Sequence, residues 1–119
     1  MNVSVIAQAA SLVECIILQM RASNMVSGRQ AFKKELTQSG VEWIACEIKM
    51  KPIGDKYAAY LRCYFETLDE MGKAASINDS PPILKTMRRR IDGHFDETEL
   101  QLLKVTLDRC RRGCLKKSL

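Results

Sequence analysis

The chain has a single histidine, His94, in 119 residues. That scarcity removes the commonest general base and the commonest metal ligand from nearly all of the sequence. His94 stands between Gly93 and Phe95 and reads as a turn residue. The five cysteines, Cys15, Cys46, Cys63, Cys110 and Cys114, do not make up the deficit. Cys110 and Cys114, four apart on one helix face, supply half of a zinc site, and a structural site needs two more ligands. No Walker loop, dinucleotide fingerprint or His-Glu-x-x-His occurs. The sequence therefore predicts no catalytic residue, no metal and no cofactor, and a protein that is not an enzyme.

Proline and glycine are also few, at three and six residues, and they cluster at expected turns. Strand-type alternation is missing, whereas apolar residues recur at helical spacing from end to end. An odd, scattered set of cysteines argues for reduced thiols and a cytoplasmic or nuclear setting. The longest apolar run, Val3 to Met20, is interrupted by Gln8, Glu14 and Gln19, so no membrane span is expected. The length suits one domain, 1–119, with a linker at 72–82 and a basic C-terminal end at 109–119.

What is present is a series of helix signals. The first helix is expected over about 2–22, apolar over a wide arc, with Ser4, Gln8, Ser11, Glu14 and Gln19 as its polar stripe. Such a helix is either central to the domain or part of a subunit interface. Ser27 with Gln30, and Ser39 with Glu42, fit capping boxes and predict two separate helices. The second of these is expected to end at Pro52 and Gly54. Asp55 then caps a helix reaching about Met71, whose stripe includes Tyr57, Tyr60, Leu61, Tyr64 and Phe65. Ser80 and Pro81 open a short basic helix ending at Asp92-Gly93. Asp96 and Glu99 form the best capping box, with Phe95 and Leu100 as a hydrophobic staple. Leu100, Leu103, Leu107, Cys110 and Cys114 follow as a heptad-like seam that suits either a dimer contact or the core. The expected fold is all-α, a compact bundle of five or six helices with short capped turns.

Charge is the other positive signal. From Leu103 onward, six Lys/Arg face a single acid, Asp108, and this +5 equals the formal charge of the whole chain. A second basic run holds Lys85, Arg88, Arg89 and Arg90. On the short basic helix, Lys85, Arg88 and Arg89 are expected to turn away from Leu84, Met87 and Ile91. The candidate binding residues are Lys85, Arg88, Arg89, Arg90, Lys104, Arg109, Arg111 and Arg112. Lys49, Lys51 and Lys56 around the Pro52 turn form a weaker third group. Such a surface fits nucleic acid, with duplex RNA favoured, because rigid helices carrying Lys/Arg can follow a phosphate backbone without reading bases. Asp92, Asp96, Glu97 and Glu99 between the basic groups mark a boundary that should not face phosphate. The bland alternative is a solvated surface, and the rival function is a helical protein–protein interaction module or adaptor.

Tyr57, Tyr60 and Tyr64 share a face and are expected at the core edge with their hydroxyls toward water, as is Trp43 in the core. A homodimer is expected, through the first helix or the leucine seam. In design, though in no sequence motif, the chain is similar to small, basic, helical, dimeric nodaviral silencing suppressors that coat double-stranded RNA.

Overall fold

The computed structural model describes residues 4–22, 33–71 and 82–117. It is all-α: α1 (Val5–Ala22), α2 (Lys33–Glu47), α3 (Lys51–Glu70), α4 (Pro82–Asp92) and α5 (Glu97–Lys117). The capping signals at Ser27 and Ser80, and linker residues 72–81, lie outside the described residues. Pro82, the last residue of the expected linker and the first of the expected basic helix, begins α4.

α1 is the central helix and packs against all four others. Val5, at its start, meets Tyr57 of α3 and Asp92 at the end of α4. Ile17, toward its end, shares a groove with Lys34 at the start of α2 and Leu68 near the end of α3. Thus α1 and α3 run one way, and α2 and α4 the other. α5 lies across α1 and α2. The breadth of the apolar arc explains this arrangement: Val5, Ile6, Ala9, Ala10, Leu12, Val13 and Ile17 are all buried, so neighbours must cover α1 on several sides. Among the described side chains of α1, only a narrow line including Ser11, Glu14 and Leu18 is exposed.

The break expected at Ser39-Gly40 is absent, and the break expected at Pro52-Gly54 falls a few residues earlier, at 48–50. α2 runs straight through Ser39-Gly40. Ser39 does not cap a new helix; its hydroxyl donates back to the Glu35 carbonyl at 3.1 Å. Gly40 is there for packing: a Cβ at that position would lie 3.0 Å from Val13 Cγ1, so the missing side chain lets α1 and α2 approach. The actual break is the bend Ile48–Met50. Pro52 and Gly54 do not end a helix but lie in the first turn of α3, after an N-cap at Met50. Proline is tolerated there because first-turn N–H groups have no helical partner. Gly54 again permits close contact, since a Cβ would come within 2.8 Å of the Ala45 carbonyl oxygen. Asp55 caps nothing and pairs with Lys51 at 2.9 Å.

The α5 start matches the sequence pattern closely. The Glu99 N–H donates to Asp96 Oδ1 at 2.8 Å, and the Asp96 N–H donates to Glu99 Oε1 at 3.0 Å. The leucine seam faces inward: Leu103, Leu107 and Cys110 are buried within this chain, so they belong to the core and are not available as a dimer contact. Thr106, buried beside them, satisfies its hydroxyl on the Leu102 carbonyl at 2.8 Å. Tyr57 and Tyr64 are fully buried and Tyr60 is half-buried, with Trp43 packed against the core rather than inside it.

Candidate functional site

Capping and packing decide which charged groups are available. Asp92 is the first case. Its carboxylate accepts the N–H of Val5 at Oδ2 (3.1 Å) and of Ile6 at Oδ1 (3.2 Å), closing the first turn of α1 from the far end of α4. Asp96 and Glu99 are likewise occupied in their mutual cap. Three of the four acids between the basic groups thus have structural employment, while Glu97 is exposed.

Tyr57 sits beside this cap. Its hydroxyl donates to the Val5 carbonyl at 3.0 Å, and its ring meets Phe95 edge-on at 5.8 Å. Burial pushes its pKa well above the ordinary phenol value, and the nearby Asp92 charge acts in the same direction. Contrary to the expectation from sequence, the tyrosine hydroxyls at 57 and 64 are turned into the protein. At 64 the oxygen accepts a bond from Arg88.

Of the eleven candidate cations, Lys49 stands alone in the bend and the other ten divide into two sets. Four make contacts within the fold. Arg88 is half-buried; its Nε donates to Tyr64 Oη at 3.0 Å and its guanidinium carbon lies 5.7 Å from the Tyr64 ring centre. Arg109 Nη2 donates to the Glu47 carbonyl at 2.8 Å, at the negative end of α2. Lys56 donates to the His94 carbonyl, lies 3.8 Å from Glu99 Oε1 and stands 4.5 Å from the Phe95 ring centre. Lys51 pairs with Asp55, which holds its pKa above the ordinary lysine value, chiefly through that hydrogen bond. Lys49, Lys51 and Lys56 therefore do not act as one group: Lys49 is exposed in the bend, and the other two are held by different neighbours.

The second set is outward-facing. Lys85, Arg89 and Arg90 on α4 and Arg111 and Arg112 on α5 are exposed, and among the described residues none forms an ion pair; Lys104 is half-buried. α4 rests on α1 and α3, and α5 on α1 and α2, so the two basic groups are held on separately supported helices.

Arg88 corrects the expectation that it turns away from Leu84, Met87 and Ile91. Positions 84, 87, 88 and 91 are one helical face, and Leu84 and Ile91 are buried on it. The spacing of 84, 88 and 91 is a usable signal that Arg88 shares the buried face. The Asp92 cap and the His94 ring stacked on Tyr60 at 5.2 Å carry no comparable sequence signal.

A groove of about 320 Å³ opens between α1, α2 and α3. It is lined by the apolar Ile17, Phe65 and Leu68 and by four acids, Glu14, Glu66, Asp69 and Glu70, against two bases, Lys34 and Arg62. The lining is acidic on balance, which disfavours phosphate there. Among the described residues no cluster of three His, Cys, Asp or Glu side chains could hold a metal ion, and no helix is long and apolar enough to cross a membrane. Cys15, Cys46, Cys63 and Cys110 are not joined in disulfides.

No family model matches the chain, and neither the curated proteins nor the solved structures contain a significant match to it.

Proposed function

We propose that the protein is a non-enzymatic nucleic-acid-binding domain that holds the phosphate backbone of duplex RNA without reading its sequence. The observation that carries this reading is the set of five exposed cations, Lys85, Arg89, Arg90, Arg111 and Arg112, on two helices fixed by a shared core. Rigid placement favours a regular backbone, and contacts to phosphate supply affinity without base recognition. A homodimer in the cytoplasm would double the contacts, using a surface other than the buried leucine seam. Binding of a duplex RNA of arbitrary sequence, measured over a range of salt, tests the proposal. Five phosphate contacts give a slope of log affinity against log salt of roughly −4 to −5. Absence of binding at low salt overturns it.

A protein-interaction module is the second reading. It is favoured by Leu18, Ile83 and Val105, each more than half exposed, two of them on the same helices as the cations. Binding that is insensitive to salt would support this reading over the first.

A further inference from the structure

We infer that the groove between α1, α2 and α3 receives the last turn of α5 from a second copy of this chain, Leu115 entering the groove and Lys116 and Lys117 meeting its acids. This goes beyond the nucleic-acid reading by naming the surface through which two copies join. The groove is chemically complementary to that turn in two ways. Its apolar lining is Ile17, Phe65 and Leu68, and the last two are only half-buried, so apolar surface stays open to a partner. Its charged lining has an excess of two acids over bases, and Lys116 with Lys117 supplies two positive charges. Glu66, Asp69 and Glu70 are exposed along one strip of α3, at steps of three and four. They form no ion pair with another described residue. At about 320 Å³ the groove is at the small end of ligand clefts, so it admits a few side chains rather than a whole helix.

Within one chain the two parts are too far apart. Arg109 of α5 is bonded to the carbonyl of Glu47, the last residue of α2. From Arg109 to its end at Lys117, α5 extends about 12 Å. The groove's acids on α3 begin at Glu66, about 24 Å along that helix from Met50 at the bend. The acidic groove and the basic turn thus stand toward opposite ends of the α2–α3 pair. The end of α5 is open to a neighbour: Arg111 and Arg112 are exposed, and a Cβ at Gly113 would meet nothing within 4 Å. Two copies related by a two-fold axis can each offer this turn and receive the other's, and such an exchange closes as a dimer with two equivalent contacts. Charge sets the register of the contact, and the leucine supplies its desolvated part. α4 does not line the groove, so its exposed cations remain available in each copy.

Sedimentation velocity on the full chain tests this. At about 50 μM protein and about 0.1 M salt a dimer is expected, and it should loosen as salt rises, because the paired charges are accessible to solvent. Lys116→Glu with Lys117→Glu, and separately Asp69→Lys with Glu70→Lys, should each raise the dimer dissociation constant at least about tenfold. Combining the two reversals should restore it to within about threefold of the unaltered protein. Leu115→Ser should weaken the dimer about tenfold by removing the apolar contact. A monomer at that concentration overturns the inference, as does a dimer that survives both reversals or a combined variant no tighter than either pair. If Asp69→Lys with Glu70→Lys loses helicity by circular dichroism, the lysine reversal and Leu115→Ser decide, and a dimer indifferent to both overturns the inference. If the chain stays monomeric but binds a labelled peptide of leucine and arginine, and the groove reversal abolishes that binding, the groove serves a different basic partner and self-association is overturned. Duplex RNA binding at low salt is a separate readout, so either proposal can fail without the other.

Discussion

Asp92 and Val5 are 87 residues apart in sequence, yet the carboxylate of one is the helix cap of the other. Ser4 contributes a longer contact, accepting the Ala7 N–H at 3.4 Å, so the short bonds at this terminus come from α4. Two backbone donors and the positive end of the α1 dipole depend on one side chain. Asp92→Ala is expected to lower stability by about 1–2 kcal/mol, read as a lower urea midpoint with unchanged slope. Asp92→Asn retains an acceptor and should fall between the two.

Tyr57 makes stability depend on alkaline pH. Its folded-state pKa is raised above the ordinary value of about 10, so the linked stability is complete below that pH. It is lost as pH rises further, because the unfolded chain ionises first, at up to about 1.4 kcal/mol per pH unit. Tyr57→Phe forfeits about 1 kcal/mol at neutral pH by losing the bond to the Val5 carbonyl. The stability gap between wild type and Tyr57→Phe should stay constant up to about pH 10 and close as pH rises beyond it. A gap still constant beyond that pH would show that the phenol does not titrate in this way.

Two glycines are expected to respond oppositely to alanine. Gly54→Ala places a Cβ against the Ala45 backbone, which cannot swing aside, and should destabilise by more than the helix-propensity gain of about 1 kcal/mol. Gly113, inside α5, has nothing within 4 Å of where a Cβ would sit. Gly113→Ala should stabilise by about 1 kcal/mol. Thermal melts of the two variants check both signs.

Leu107→Glu should unfold the protein rather than separate two folded copies, because Leu107 is buried in its own chain. Loss of helicity together with loss of any dimer is the expected result. A fully helical monomer would mean that the seam faces a partner.

Arg89→Ala with Arg112→Ala should leave the melting temperature within about 1 °C and reduce the salt slope for duplex RNA by about two. Arg109→Ala should change the slope little, since that guanidinium is bonded to the Glu47 carbonyl. Equal slopes for all three proteins would remove the exposed arginines from the interface.

The elements most legible in the sequence were those specified locally. The Asp96–Glu99 box and the helix stop at Asp92-Gly93 follow from local signals, whereas the tyrosine stripe marks the packed face of α3 without showing that the hydroxyls at 57 and 64 turn inward, and the apolar arc of the first helix suits a central place and a subunit interface alike. What was misread depended on a second helix. Ser39-Gly40 and Pro52-Gly54 resemble breaks when taken alone, and only the positions of Val13 and Ala45 show that both glycines are contact points. The candidate interface was legible as composition but not as geometry. A basic run states how many cations there are, not that Arg88 and Arg109 are already bonded to Tyr64 and Glu47.

The close approaches at Gly40 and Gly54 also bear on descent. Surface arginines can drift while the fold survives, but a Cβ at 54 meets the Ala45 backbone and one at 40 crowds the Val13 side chain. Distant relatives of this chain should therefore keep a residue without a Cβ at 40 and 54, opposite a Val13-like and an Ala45-like partner, while position 113 varies freely. Two retained glycines, fourteen residues apart across a helix–bend–helix, form a signature by which kinship could be traced after the basic surface has diverged beyond recognition.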